Sequence, residues 1–386
     1  MRTERTAAKR IAPGGGRGAA LLVFVAVTAL LLSGCGRNPV LPPEQLPPPT
    51  PGVVCGGKDQ LAAEGSSAQA NAFAQFSAAF QAQCPDNDID YNPTGSGSGV
   101  KQFTAGQVDI GGTDSPLEPK EVGPAAARCR GHPAWHLPLV FGPIAVTYNV
   151  GGLHDLVLTP QVMSRVFSGG IKTWNDPAIA ALNPGKPLPD APINVVYRND
   201  DSGTTDNFQQ YLSSAAPQAW KLGDGKTFHG GVGEGKAKSQ GVAEAVGSTP
   251  NSISYVEASY ATNAGLGVAK IDNGAGPVEL NTETARRTIE SARTDPGTPD
   301  RPRSPNDMVM DTDSIYGTKA PGAYPLLMAT YELVCSDGYQ PETARAVKAF
   351  MKVAAGGGQE KLAEAGYVPL PPQFRERVAR AVDALA

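Results

Sequence analysis

Between residues 60 and 84 the chain runs through a short apolar stretch, a Gly-Ser-Ser turn and a segment with phenylalanines at 73, 76 and 80. Steps of three and four put those rings on one side of a helix and turn them inward. Ser66 and Ser67 stand where the helix N-cap belongs. "IDYNPTGSGSGVKQFTAGQ" repeats the design of strand, glycine-serine loop and helix, and "VDIGGTDSPL" is a strand into a turn. "LPLVFGPIAVTYNV" predicts a long buried strand, and "TPQVMSRVFSG" a helix capped by Thr159 with Pro160 at its first position. "INVVYR" is a strand leading to a helix over "TTDNFQQYLSS"; "KAKSQGVAEAVGS" is a helix, and "ISYVE" and "ATYELVC" are strands. Helical patterns over 341–354, 357–366 and 371–385 close the chain, and "SARTDPGTPDRPRSPND" is a polar loop. Strands alternating with helices predict an α/β protein with largely parallel sheets.

The 386 residues suffice for two ordinary domains, and 40% hydrophobic with 18% charged residues is a globular composition. A formal charge of 33 − 37 = −4 gives no basic field for nucleic acid. The first residues change the picture most. Arg2, Arg5, Lys9, Arg10 and Arg17 precede an apolar run from Ala19 to Leu32 that ends in "LLSGC". That run is short for a membrane span and suits the core of an export signal. Small residues before Cys35 resemble a bacterial lipobox, so residues 1–34 are expected to be a lipoprotein signal peptide and Cys35 the lipidated new N-terminus. Seven prolines in residues 36–52 make an extended, semi-rigid tether.

Four further cysteines, Cys55, Cys84, Cys129 and Cys335, suit two disulfides in an exported protein. Three pairings are possible. The one favoured is 55–84 with 129–335, because Cys55 opens a first strand and Cys84 closes the helix that returns beside it.

Three strand-to-helix junctions share one composition: Gly65-Ser66-Ser67-Ala68, Gly95-Ser96-Gly97-Ser98-Gly99 and Asp201-Ser202-Gly203-Thr204-Thr205. Glycine admits close backbone approach, helix-start N–H groups and the helix dipole favour an anion, and the hydroxyls are neutral donors. Such loops gather at the carboxyl edge of an α/β sheet. Arg198 adds a planar fork for a phosphate or carboxylate, which Asp200 can orient; Asp201 has no role beyond the turn. Asp114 should repel an anion unless the ligand brings a proton to donate. Protonated phosphate does so and sulfate at neutral pH does not, so Asp114 would choose between two near-isosteres.

Enzyme patterns are missing from the sequence. There is no G-x-S-x-G elbow and no G-x-G-x-x-G. "GGVGEGKAK" spaces Gly230, Gly235 and Lys236 like a Walker loop, but Ala237 replaces the magnesium-binding hydroxyl. His132, His136, His154 and His229 are scattered and suggest neither a metal site nor a catalytic base; no metal or cofactor is expected.

From "AEGSSAQANAF" through "YNPTGSGSGVKQF", "VDIGGTDSPL", "KTWNDPAIAALNPG", "INVVYRNDDSGTTDNF", "GGVGEGKAKSQGVAEAV", "ISYVEASYA" and "YPLLMATYELVC", the chain resembles the PstS phosphate-binding lipoproteins of actinobacteria, substrate receptors of the Pst phosphate ABC transporter. The likeness runs from about residue 60 to the C-terminus. It implies a two-lobed periplasmic-binding-protein fold of type II with two chain crossings, lobe one being 53–143 plus 322–386 and lobe two 144–321. It implies phosphate held by hydrogen bonds alone: from the Ser67 hydroxyl, the Ala68 N–H, Ser96, Arg198 oriented by Asp200, and Ser202, Gly203 and Thr204, with Asp114 taking the ligand's proton. Ser67 stands where many members carry threonine, and Ala68 where many carry an aromatic residue. The expected partners are inorganic phosphate and the permease subunits of an ABC importer, with a monomer anchored by lipid on the extracytoplasmic face of the cell membrane. Three rivals remain: an exported phosphate-ester hydrolase using Ser202, a binding protein for an organic phosphate or another oxyanion, and a sensor or adhesion protein with no need of the permease.

Overall fold

The structure is a computed structural model that describes residues 49–298 and 301–386. The expected signal peptide, Cys35 and the tether up to residue 48 lie outside the described residues. Strands β1 (Gln60–Gly65), β2 (Asp88–Asn92), β3 (Ile110–Thr113) and β4 (Ala134–Asn149) are followed by β5 (Val157–Leu158), β6 (Asn194–Arg198), β7 (Glu234–Lys236), β8 (Ser252–Glu257) and β9 (Gly267–Val268). The later strands are β10 (Lys270–Asp272), β11 (Pro277–Val278), β12 (Gly297–Thr298), β13 (Arg301–Pro302) and β14 (Leu327–Cys335). The helices are α1 (Ala70–Gln83), α2 (Ser96–Thr104), α3 (Pro119–Arg128), α4 (Pro160–Phe167), α5 (Pro177–Leu182) and α6 (Gly203–Ala215), then α7 (Lys238–Ser248), α8 (Ala258–Asn263), α9 (Thr282–Ser291), α10 (Thr312–Tyr316), α11 (Pro341–Ala355) and α12 (Pro372–Asp383).

The main sheet runs β2-β1-β3-β14-β4-β8-β6-β7, with β9 added on β4. The β1–β2, β1–β3, β6–β7 and β6–β8 pairs are parallel, as crossover helices require. The centre departs from the largely parallel sheet that the pattern predicts: β14 is antiparallel to both β3 and β4, and β8 to β4. Strand β4 is the reason. It pairs with β14 up to Pro143 and with β8 from Ile144 onward, so one continuous strand serves both lobes and the returning strands run against it. The register slips opposite Thr330 and Tyr331, a bulge that re-aims side chains at that point.

Alternation of strand and helix is set locally. Thr159 caps α4 by accepting from the Val162 N–H, and Phe73, Phe76 and Phe80 are at most 1% exposed, each burial contributing about 1.5–3 kcal/mol. Two further sequence expectations need correction. Residues 357–366 form only a 3-10 turn (Gly357–Gln359) and irregular turns, since glycines at 356–358 favour tight turns over an α-helix. The polar loop near residue 300 carries the β12–β13 hairpin. The chain is fixed before Val53: Thr50 exchanges main-chain bonds with the Gln83 carboxamide (2.9 and 2.8 Å), and its Oγ1 accepts from Gly357 N–H (2.8 Å). Disulfides join Cys55 to Cys84 and Cys129 to Cys335, the favoured pairing.

Candidate functional site

The parallel strands end on one edge, and the chemistry-bearing residues follow those ends: Ser66 and Ser67 after β1, Ser96 after β2, Asp114 after β3, Arg198 at the end of β6, and Ser239 shortly after β7. All six are at most 3% exposed. Desolvation at this depth is expensive for an unpaired polar group, so each partner carries information.

Asp114 is a convergence point. Its Oδ1 accepts from the hydroxyls of Ser66 (2.6 Å) and Thr330 (2.7 Å), and its Oδ2 from Ser96 (3.1 Å). Burial pushes the carboxyl up, against the opposing pull of those hydroxyls and of the Arg198 charge. An ionised carboxylate offers about four acceptor positions, so three protein donors leave room for one more.

Arg198 is gripped from one side. Its Nε and Nη2 donate to the two oxygens of Asp200 at 2.7 and 2.5 Å, while Nη1 reaches the Ser239 hydroxyl at 3.4 Å. Burial acts to raise Asp200, but the bonds and charge of Arg198 and the Lys238 N–H outweigh it, and the carboxyl lies below its ordinary range. With one edge of the guanidinium committed to Asp200, the other edge still carries N–H groups that can be donated to a ligand.

Helix α6 begins beside both groups. Ser202 is its N-cap and accepts from the Thr205 N–H at 3.1 Å. The N–H groups of Gly203 and Thr204 belong to the first turn, where no intrahelical acceptor exists. Thr204 Oγ1 is buried with no hydrogen-bond partner among the described residues. Gly203 is required by proximity: a Cβ there would stand 2.5 Å from Ser96 Oγ and 2.6 Å from Asp114 Cβ. The start of α6 is pressed onto the loops after β2 and β3.

The loops on this edge also bond directly to the segments around α6 and α7. Gly97 N–H donates to the Asp201 carbonyl (3.0 Å), Asn207 Nδ2 to the Asp114 carbonyl (2.7 Å) and Ser115 Oγ to Asp206 (2.5 Å). Ser67 Oγ lies 3.0 Å from Ser239 Oγ and accepts from the Ser239 N–H (3.1 Å). The structure is therefore closed across the edge where the loops meet. Asp201, assigned only to a turn from sequence, supplies the bridging carbonyl. Its side chain is exposed, so Asp201→Ala should change ligand affinity by no more than about twofold, as read by titration calorimetry; a tenfold loss would show that the side chain itself matters.

Of the residues marked in the sequence, Ser67, Ser96, Asp114, Arg198, Asp200, Ser202, Gly203 and Thr204 are brought together. Ala68 is adjacent, but its N–H donates to Ser66 Oγ at 3.2 Å. Ser66, Thr330 and Ser239 were not marked as site residues. Ser66 is visible in sequence only as a cap, and Ser239 opens a helix after a strand as the marked loops do. Thr330 is 216 positions from Asp114 and has no local signal. The Walker-like run forms the edge strand β7, with Lys236 bonded to Glu234 at 2.5 Å. No group of three or more His, Cys, Asp or Glu is arranged to hold a metal among the described residues. His136 is buried, with Nδ1 2.6 Å from Asp307 and Nε2 accepting from the Leu117 N–H. Ser202 Oγ has no side-chain hydrogen-bond partner that could serve as a base among those residues.

A PBP superfamily domain matches residues 55–356. Phosphate-binding protein PstS 3 of Mycobacterium leprae is 48% identical over 363 residues, which is 93% of this chain and 96% of that one. PstS 3 of Mycobacterium tuberculosis is 45% identical over 373 residues, 96% and 98% of the two chains. The chain belongs to the PstS family of phosphate-binding proteins. Solved structures share the two-lobed fold of the PstS chain. A periplasmic phosphate-binding protein, PfluDING, superposes with a TM-score of 0.66 at 22% identity, covering 84% of this chain and 93% of that one. An ancestral soluble variant of the human phosphate-binding protein gives 0.67 at 20% identity over 84% and 93%.

Proposed function

We propose that the chain is an extracytoplasmic receptor that binds inorganic phosphate between its lobes and delivers it to an ABC-type importer. Family membership supports the ligand and the transporter. The observation that carries the site assignment is the unpartnered Thr204 hydroxyl, buried one residue beyond the Gly203 contact with Asp114. It is a donor in need of an acceptor, next to free helix-start N–H groups, a guanidinium with an open edge and a carboxylate with one acceptor position left. A tetrahedral oxyanion that also carries a proton satisfies all of them.

In this reading Ser67, Arg198, Ser202, Gly203 and Thr204 donate to phosphate, Ser96 joins them through its helix-start N–H while its hydroxyl stays on Asp114, Asp114 accepts the ligand's proton, and Asp200 holds Arg198 in place. The Ala68 N–H would contribute only by leaving Ser66 Oγ. No bond is made or broken, so the protein acts as a carrier and not as an enzyme. Lobe one is 53–143 with 322–386 and lobe two 144–321, opening to admit and release the ion. Residues 1–34 direct export, and a lipid on Cys35 anchors the monomer to the membrane; among the described residues no helix is long and apolar enough to cross one. Titration calorimetry at neutral pH tests the assignment: phosphate should bind, and sulfate at the same concentration should give no saturable heat. A protein that ignores phosphate overturns it.

A further inference from the structure

A second buried carboxyl lies behind the site. Glu332 on β14 is fully buried, and neither of its oxygens has a hydrogen-bond partner among the described residues; the same is true of Gln69 Oε1. The topology brings these groups together. Thr330, which donates to Asp114, and Glu332 lie two residues apart and so share one face of β14. Glu332 is registered opposite Gly112 of β3. A Cβ on Gly112 would meet Gln69 Nε2 at 2.4 Å and the Tyr91 hydroxyl at 2.7 Å, so the missing side chain makes room for both groups beside Glu332.

The Tyr91 hydrogen and one of the two Gln69 amide hydrogens are already assigned. The Tyr91 hydroxyl gives its hydrogen to the Ser66 carbonyl (2.7 Å) and therefore accepts from Gln69 Nε2 (3.0 Å). That fixes the carboxamide and leaves Oε1 without a donor. If Glu332 were ionised, three buried acceptors would share the one N–H that the amide has left to give, at a cost that folded proteins rarely carry. A proton on Glu332 supplies the missing donor.

We propose that Glu332 is a positioning residue of the phosphate site: as a neutral acid it donates to Gln69 and thereby fixes the 3-10 turn Ser67–Gln69 that holds Ser67 against the ligand. The proposal rests on the phosphate reading above. The chain of contacts is Glu332 to Gln69, Gln69 to Tyr91, and Tyr91 to the Ser66 carbonyl, while Ser66 Oγ reaches Asp114. Burial, with a smaller push from Asp114 and against the pull of the Gln69 side chain, raises the Glu332 carboxyl to about 8. Of the other titratable groups here, Tyr91 is raised well above its ordinary value by burial and stays neutral, Asp114 is raised by burial against the pull of its hydroxyl donors and of Arg198, and β4 presents only Leu137 in register. Ionising Glu332 removes the donor and adds a negative charge near Asp114, so both effects weaken anion binding as pH rises.

The experiment is phosphate calorimetry on wild type, Glu332→Gln and Glu257→Gln from about pH 7.5 to about pH 9.5, a range in which phosphate is chiefly the singly protonated dianion. Glu257 is included because burial also raises it to about 8 and its charge bears on Asp114. Wild type should lose about tenfold in affinity across the range, the effect of one unit of coupling, and Glu257→Gln should lose as much. Glu332→Gln, which keeps a donor and cannot ionise, should match wild type at the lower pH and stay flat. A Glu332→Gln profile that falls like wild type, a wild-type profile that is flat, or flattening in Glu257→Gln alone overturns the proposal. Failure of wild type to bind phosphate at any pH instead refutes the underlying assignment. A purely structural role would shift thermal stability in Glu332→Gln without flattening the affinity profile.

Discussion

Arg198→Ala should weaken phosphate binding by about a hundredfold or more. Hydrogen bonds to charged groups are worth about 1.5–3 kcal/mol each, and the open edge of the guanidinium can make two of them, which converts to roughly two to four decades in Kd. The substitution does more than delete donors. Asp200 is held ionised by Arg198 and lies 2.5–2.7 Å from it. Without the cation that carboxylate faces an incoming anion uncompensated, and breaking one half of such a pair costs more than removing both halves. Arg198→Ala combined with Asp200→Asn should therefore recover part of the loss. Arg198→Lys should also fail, because an ammonium cannot bond both Asp200 oxygens and keep a planar edge for the ligand. Calorimetry reads all three; an Arg198→Ala protein within about threefold of wild type would remove Arg198 from the site.

Asp114→Asn should change selectivity more than affinity. Phosphate can still give its proton to the amide oxygen, so its binding should fall by less than about tenfold, the value of one ordinary hydrogen bond. Sulfate has no proton to give at neutral pH, and in the native protein it would meet a carboxylate with its remaining lone pairs turned inward. Removing that charge should make sulfate binding measurable, narrowing the phosphate-to-sulfate ratio by about a hundredfold or more, since rejection by unpaired buried groups commonly exceeds that. The Ser66, Thr330 and Ser96 hydroxyls can rotate to suit the amide, so the fold should hold. Sulfate excluded as strongly from Asp114→Asn as from the native chain would show that Asp114 is not the discriminating group.

The site was legible in the sequence wherever its chemistry is local. A cap such as Ser202 is read from the residues beside it, because the N–H it accepts is three positions away. The Arg198–Asp200 pair spans two positions and is visible for the same reason. Helix α1 shows itself through its phenylalanine spacing and α4 through Thr159-Pro160. The PstS anchors then supply the ligand, which no single loop could name, since these donors would accept any tetrahedral oxyanion.

What stayed hidden is non-local. Thr330 reaches Asp114 from the last strand, Ser239 meets Ser67 from 172 positions away, and Glu332 lies opposite Gly112, whose missing side chain makes room for Gln69 and Tyr91. No spacing along the chain encodes those distances. The antiparallel centre of the sheet belongs with them: β14 looks like any buried strand, and its direction is decided by β4 running unbroken through both lobes. By itself the sequence determined most of the α/β elements, caps such as Thr159 and Ser202, and the family, because each depends on neighbours within a few residues or on order along the chain. Only the tertiary structure decided which hydroxyls fill Asp114, which edge of Arg198 stays open and which buried carboxyl is left without a partner, because those follow from packing that removes water and leaves each polar atom only the partners the fold brings to it.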